Sequence, residues 1–492
     1  MSLHAQLSPE AQAALDAQKR NSTISSIAIA LLSIVLVGLV LFYILLPSLI
    51  KEDVQIVTYA ANIAPEDNLD EKKVQPSTER KPSAPSSSQA RVIATTSPTN
   101  VAIPVPEIDN PNPSVDFGDG DDFGSGWGDG SGQGGGFGGI PATMKKRCSQ
   151  ADRLDRLKEM GGTPECEEAV VKGLRWLKST QLKSGQWPGR MANTGFGLLA
   201  YLGHCKTPID EEFGDSCLRA ITYLVDVGMK KNGKLTGSDK DKSWSYEHAI
   251  NTYALAEACT FCRQLQINVP NLDTVVQKAG QLIIDNQTKE GGWEYAYAEI
   301  SNRGGGDLSI TAWQLQALKA CSFTGLDFRN LKKAADRGIA YVEGLANASG
   351  FFGYSSPNHH HSDYGTLTGA GVLCMQQWGK GSAKEVRNGA KYIEKNTKFD
   401  YNTRYADLYG HYYEAQAMMN RGGEQWKKYN ELFRDQLLKN QNADGSWKPP
   451  GGGKELRAVA ASYQSDAHYR TCLCILMLEV YYRFLPATGT AK

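Results

Sequence analysis

A seven-residue pattern, Gln-x-x-x-Gly-x-Trp, occurs three times in the chain, as Gln181/Gly185/Trp187, Gln287/Gly291/Trp293 and Gln441/Gly445/Trp447. Each copy follows an amphipathic helical pattern and closes it. The first and second Trp stand two intervals of roughly 53 residues apart, the second and third three intervals of roughly 51, so a repeat of about 50 residues runs through the region. Copies with worn anchors are expected near residues 240, 344 and 395. Those places hold Gly237 to Trp244, Gly350-Phe351-Phe352-Gly353-Tyr354 and Phe399-Asp400-Tyr401, each an aromatic-bearing loop after a helical pattern. Six repeats result, each an outer helix, a loop and an inner helix. The outer helices are expected at 165–180, 216–228, 272–286, 331–346, 384–396 and 425–440. The inner ones are expected at 193–204, 247–265, 308–322, 364–378, 406–419 and 466–484, and are richer in apolar and small residues. A helix pair cannot bury its own apolar face, so pairs stack side by side. Six such pairs are expected to close into a ring, with Trp187, Trp293 and Trp447 on its outer side between neighbouring repeats.

The rest of the chain differs in kind. Of 492 residues, 53 are Lys or Arg and 53 Asp or Glu, so no broad basic field exists and nucleic acid is excluded as the main partner. Ten cysteines are too sparse for a disulfide scaffold. Fifty glycines with 41% apolar residues indicate one packed region diluted by a segment that does not fold. Composition thus excludes a collagen-like chain, a disulfide miniprotein and a multi-span membrane protein.

Residues Asn21 to Ile50 carry no charged side chain. Their apolar heart, 24–46, spans about 34 Å as a helix, enough for a bilayer core. It is too long for the apolar part of a signal peptide, so an uncleaved anchor is the reading. Lys19 and Arg20 precede it, while Lys51 is offset by Glu52 and Asp53. The positive-inside rule then makes residues 1–23 a cytoplasmic tail and places the rest outside. Residues 51–140 read as a disordered linker, rich in Pro and Ser first. From Asp116 to Gly139 it is nearly all Gly and Asp, with Phe117, Phe123, Trp127 and Phe137 spaced along it. Such a chain has an r.m.s. span of roughly 50 Å. From Cys148 helices begin. Ser149 to Met160 is a short helix stopped by Gly161-Gly162, and Thr163 caps the next, with Pro164 at its first position and Glu165, Glu167 and Glu168 in its first turn.

The motif, with Lys172-Gly173 and Trp176-Leu177 before its first copy, resembles the QW repeat of squalene–hopene cyclases and protein prenyltransferase β-subunits. The resemblance covers about residues 164–486 and is closest to bacterial squalene-cyclase-like proteins. Stretches that carry it are Tyr246-Glu247-His248-Ala249-Ile250, Asp307 to Gln314, Tyr412 to Ala417 and Leu478 to Pro486. It implies an all-α fold, an α/α6 toroid over residues 148–486, preceded here by a single transmembrane helix and the linker. It is specific for fold and silent on activity, because the Trp and Gln brace helices outside the cavity.

The chemistry of that superfamily is incomplete in this chain. Cyclases that protonate an alkene use an Asp-x-Asp-Asp motif, and the sole match, Asp119-Gly120-Asp121-Asp122, lies in the linker. Prenyltransferases bind zinc through Asp-x-Cys and a later His. Asp307-Leu308-Ser309 has Ser where a thiolate is required, and in Asp466-Ala467-His468 with Cys472 the His spacing is shifted. No metal and no cofactor are therefore expected.

What remains is a set of acids and imidazoles where inner helices begin: Glu247/His248, Asp307, Asp363, Asp407/His411 and Asp466/His468. Asp at a helix start is most often an N-cap, and Asp307, Asp363 and Asp466 sit where caps belong. If the ring is catalytic, Asp307 is the expected centre, with Asp466 and His468 as rim neighbours. Trp313, Asp363, Tyr412, Tyr413 and Tyr469 are the expected substrate contacts; the tyrosines, with Tyr481 and Tyr482, suit either a cavity lining or helix packing. His359-His360-His361 reads as a solvated loop, and Cys259-x-x-Cys262 as two buried thiols. Cys205 and Cys217 flank one loop and could join if the domain is exported. Two function classes survive. One is a membrane-anchored, non-catalytic ring in a bacterial inner membrane, its periplasmic domain binding an isoprenoid, another lipid or an envelope protein. The other is an enzyme of the terpene cyclase/prenyltransferase superfamily acting on an isoprenoid.

Overall fold

The structure is a computed structural model that describes residues 91–92, 147–298, 306–360, 367–456 and 459–483. The chain divides into two units, Met1–Ala84 and Pro85–Lys492, and every described residue belongs to the second. The expected tail, membrane span and linker, save 91–92, lie outside the described residues, as do His361, Asp363 and the Asp119–Asp122 motif. Among the described residues no helix is long and apolar enough to cross a membrane.

The described part is mostly helical. After α1 (Gln150–Glu159), six outer helices alternate with six inner ones. The outer set is α2 (Pro164–Thr180), α4 (Gly214–Lys230), α6 (Leu272–Asp285), α8 (Leu331–Gly344), α10 (Lys384–Asn396) and α12 (Gly423–Lys439). The inner set is α3 (Ala192–Gly203), α5 (Trp244–Gln264), α7 (Leu308–Phe323), α9 (Thr368–Gln377), α11 (Leu408–Arg421) and α13 (Ala467–Leu478). A short α14 (Val480–Arg483) follows α13 after a break at Glu479, where one continuous helix was expected. The strands β1 (Arg91–Val92) and β2 (Ile267–Asn268) form one short parallel pairing.

Burial explains the two layers. In α6 the buried residues are Leu272, Val275, Val276, Ala279, Gly280, Ile283 and Ile284, one stripe at helical spacing, as in a helix with one face in water. In α7 thirteen of sixteen residues are buried, polar ones included, because that helix lies between the outer layer and the ring's centre. Each inner helix packs on the next in chain order, and α13 packs back on α3; α12 likewise packs on α2. The ring is closed.

The repeated motif makes the seams. Each Trp indole N–H caps its own outer helix: Trp187 donates to Leu177 O (2.7 Å), Trp293 to Ile283 O (2.8 Å) and Trp447 to Leu437 O (2.8 Å). Each Gln amide reaches the next outer helix. Gln181 donates to Ser216 O (2.9 Å), Gln287 to Ala334 O (2.8 Å) and Gln441 to Ala169 O (2.8 Å), the last joining the end of the ring to its beginning. Each Gly has a positive φ (94°, 101° and 98°) and lies against a backbone carbonyl of that same next helix, at Arg219, Arg337 and Lys172. The worn copies keep parts of this device. Gly233 and Gly350 hold φ values of 92° and 101°, and Leu235, Phe352 and Tyr401 are buried in the slots Trp fills elsewhere.

Candidate functional site

The inner helices start together at one end of the ring, and their first turns meet there. Asp307 is the N-cap of α7, extended at φ −134° and ψ 158°. Its carboxylate accepts from Ile310 N (3.0 Å) and Ser309 Oγ (2.5 Å), so an Asp just before an apolar helical run does what that position favours. The Tyr246 hydroxyl on α5 meets Ser309 Oγ. It also approaches the Tyr295 hydroxyl (3.4 Å), which approaches that of Tyr354 (3.3 Å). Tyr354 in turn bonds the Asp307 carboxylate, and the circuit of hydroxyls closes. Tyr409 of α11 completes the cluster, accepting from Trp313 Nε1 (3.2 Å) and donating to Ser309 O (3.5 Å).

Asp307 is 5% exposed and, among the described residues, makes no ion pair. Burial pushes its pKa up, and the bonds from Ser309, Ile310 and Tyr354 only partly counter this. Burial likewise raises the phenols of Tyr246, Tyr354 and Tyr409, each also facing the Asp307 charge. The result is a protonatable acid under a rim of half-buried tyrosines: Tyr246, Tyr295, Tyr354, Tyr409 and Tyr469.

Beneath this mouth the ring's centre is filled. Trp313 of α7 stacks on Tyr412 of α11 (centroids 5.5 Å, 17°) and meets Phe196 of α3 edge-on (5.4 Å). Neither α3 nor α11 adjoins α7 in the ring, so these contacts span its axis. Tyr413 tilts against Trp313 (5.6 Å), and Tyr469 against Phe196 (5.3 Å). Trp313 and Tyr413 have no solvent contact, and Tyr412 and Phe196 almost none.

The other expected residues lie apart. Asp466 precedes α13 at the half-buried rim without a side-chain capping bond, and Arg470, Arg190 and Glu455 are its charged neighbours. His468 packs tilted against Trp176 (4.7 Å, 39°), and burial lowers its pKa to about 4. Among the described residues neither contacts Asp307. Glu247 braces a loop, accepting from Thr236 Oγ1 (2.7 Å) and Gly237 N (3.0 Å). His248 is a core residue, accepting from Leu235 N (3.0 Å) and donating to Ala279 O (3.1 Å); burial lowers its pKa to about 3. Asp407, His411 and Glu414 line a cavity of about 20 Å³, room for one water. His411 there is held by Tyr429 (3.0 Å) and Tyr405 O (2.8 Å). His359 and His360 are exposed, and Cys259 and Cys262 are buried thiols. Cys205 pairs with Cys148 rather than with Cys217, which is buried inside α4. Among the described residues no group of His, Cys, Asp and Glu is placed to hold a metal.

Tyr246, Tyr295, Tyr354 and Tyr409 were not among the expected site residues. The available signal was positional: Tyr246, Ser309, Tyr409 and Tyr469 all occupy the second or third position of an inner helix, so the ring carries them to one mouth.

No family profile and no curated protein sequence matches the chain. Solved structures similar in shape include the α-1,6-mannanase GH76A of Salegentibacter sp. HEL1_6, as an inactive variant with α-1,6-mannotriose. It is 10% identical, covers 65% of this chain and 99% of its own, and has a TM-score of 0.47. The type II terpene cyclase MstE from Scytonema, with merosterolic acid A, is 10% identical over 69% of this chain and 100% of its own, at 0.44. At these values neither bears on ligand or reaction.

Proposed function

We propose that this chain is a membrane-tethered helical ring that binds an apolar or amphipathic molecule, an isoprenoid or other lipid, at its tyrosine mouth. The observation that carries the reading is the rim of half-buried tyrosines around Asp307, above a centre that packed aromatic rings close. Phenols offer apolar faces and a polar edge together, which suits a ligand with a greasy body and a small polar head. The resemblance to squalene-cyclase-like proteins points to the same ligand class. Tethering rests on the charge-free span at 24–46, and an extracytoplasmic position on its flanking charges. The Cys148–Cys205 pairing suits an oxidising compartment.

Mass spectrometry of lipids extracted from the purified protein tests the ligand, with Tyr246→Ala plus Tyr409→Ala as the depleted control. An isoprenoid or lipid carried by the wild type and lost in the double variant is the expected result; identical extracts from both would defeat the reading. Reporters of cytoplasmic and exported folding fused after residue 145 test the topology, and activity of the cytoplasmic reporter alone would reverse it. One observation favours the enzymatic alternative: Asp307 is a buried acid in a hydroxyl circuit, its pKa raised by burial. If it acts on the ligand, Asp307→Asn abolishes turnover with no fall in melting temperature.

A further inference from the structure

At the opposite end of the ring the inner helices terminate, and a buried ionic cluster gathers there. Arg147 lies just before α1 and is 2% exposed. Its guanidinium donates to Leu202 O at the end of α3 (3.1 Å) and to Glu257 Oε2 on α5 (3.4 Å). It also lies over the Phe261 ring, 5.5 Å from the centroid. A carbonyl, a carboxylate and an aromatic face are the three partners a guanidinium takes best. The C-terminal ends of α3 and α5 add negative dipole ends. Glu257 is held from its other side by Arg483 (3.6 Å), so the carboxylate is fixed in place whether or not Arg147 is present.

Arg147 is part of a segment laid across this end of the ring. Its backbone carbonyl accepts from Arg153 Nη1 (2.7 Å). Arg153 Nε donates to Glu167 (3.0 Å), which also bonds His204 Nε2 (2.9 Å). The covalent fastening lies one residue from each of these groups: Cys148 follows Arg147, Cys205 follows His204, and the two are bonded across 57 residues of chain. On the other flank the segment is joined to α2 through Gly161-Gly162. The disulfide therefore keeps the Arg147 guanidinium at high effective concentration over its pocket.

We propose that this end of the ring is a guanidinium-binding pocket held shut in cis: Arg147 is its resident group, the Cys148–Cys205 bond is the latch, and reduction frees the pocket for an arginine side chain of another polypeptide. The reductant is a dithiol. The Cys148–Cys205 S–S bond takes two electrons and two protons and becomes two thiols, while the dithiol becomes a disulfide. Arg147 then competes without the covalent latch, held by its backbone connection and the Arg153 bond, and an incoming arginine meets Leu202 O, Glu257 and Phe261 already positioned.

The test uses the purified full-length protein in three forms: oxidised, dithiothreitol-reduced and Cys148→Ser. The probes are N-acetylarginine amide and N-acetyllysine amide, titrated calorimetrically, with amide hydrogen exchange read in parallel. In the reduced and Cys148→Ser forms the expected results are faster exchange confined to residues 147–160 and the last turns of α3 and α5, and saturable arginine binding. That binding should be at least tenfold tighter than for lysine and should vanish in Glu257→Gln. The oxidised protein should bind neither. Arg147→Ala with the disulfide intact gives a second route: ethylguanidinium should raise its melting temperature and ethylammonium should not. Unchanged exchange at 147–160 after reduction, equal or absent binding of the two probes, or melting of the whole ring on reduction would each overturn the proposal.

Discussion

Gly445→Ala is the substitution that most directly tests how the ring closes. Gly445 holds φ at +98°, and a Cβ there would stand 2.3 Å from Lys172 O and 2.7 Å from Lys172 C, backbone atoms of α2. Two costs combine. The left-handed backbone conformation alone costs an L-residue about 1–2 kcal/mol. The contact cannot be relieved by a side-chain rotation, so loop and helix must separate, and overpacking of this kind adds about 1–3 kcal/mol. Separation also stretches the bond from Gln441 to Ala169 O (2.8 Å), worth about 1 kcal/mol. The expected loss is about 3–6 kcal/mol. Gly423→Ala isolates the backbone cost, since Gly423 holds φ at +63° with nothing within 4 Å of the added methyl; it should cost about 1 kcal/mol. Urea denaturation followed by circular dichroism measures both. A closed ring has no terminal seam, so Gly185→Ala, against Arg219 O at 2.2 Å, should cost about as much as Gly445→Ala. Equal stabilities of the Gly423 and Gly445 variants would refute the reasoning, and a harmless Gly445→Ala beside a damaging Gly185→Ala would indicate an open superhelix.

Three further outcomes are expected. Asp307 has a raised folded-state pKa, so its contribution to stability falls as pH rises above the ordinary carboxylate value of 3.8; Asp307→Asn keeps the cap, and urea midpoints from pH 4 to 8 should move progressively in the variant's favour. Glu167 is the opposite case: burial alone would raise it, but His204 and Arg153 bring it down from 4.5 to about 2. Its stabilisation is present above pH 4.5 and lost towards pH 2, so Glu167→Gln should cost about 3 kcal/mol at neutral pH and close to nothing at pH 2. Trp313→Ala removes the ring that spans the axis and should cost about 3–5 kcal/mol; xenon or benzene binding, seen as a rise in melting temperature only in the variant, would report the cavity.

Much of the ring was legible because its determinants are local. Gln, Gly and Trp recur at fixed offsets, and each outer helix shows its stripe. Asp307 stands before an apolar run and could be read as a cap without knowledge of any partner. The worn repeats were placed by arithmetic, but their anchors were not: Leu235 fills a Trp slot without being aromatic, which no motif reveals. Apart from Tyr469, the tyrosine rim was missed because its members come once per repeat, from helices and loops alike, and only ring closure brings them together. The Arg147 pocket is harder still. Its partner Glu257 lies 110 residues away in the chain, and a buried Arg and an exposed Arg look alike in sequence. Cys217 was the partner suggested for Cys205 by sequence proximity, but the chain crosses the ring's end before α2 and brings Cys148 to within 4.9 Å, Cα to Cα.

The two ends of the ring carry different chemistry, and the inner helices all run the same way between them. At their N-terminal ends stand Glu247, Asp307, Asp407 and Asp466; at their C-terminal ends stand Arg147 and Arg483. Acids at positive dipole ends and guanidinium groups at negative ones are favourable placements, although the second end also buries the acids Glu257, Glu167 and Glu479 with its arginines. Between the two ends Trp313, Tyr412, Tyr413 and Phe196 form a buried layer of packed rings. This separation has a measurable consequence. Asp307→Asn acts on one end and Cys148→Ser on the other, with no shared partner, so their stability effects should add to within about 0.5 kcal/mol. Trp313→Ala dissolves the layer between them, and in its presence the same pair should couple. A coupling between Asp307→Asn and Cys148→Ser as large with Trp313 intact as without it would mean that the aromatic layer does not insulate the two ends.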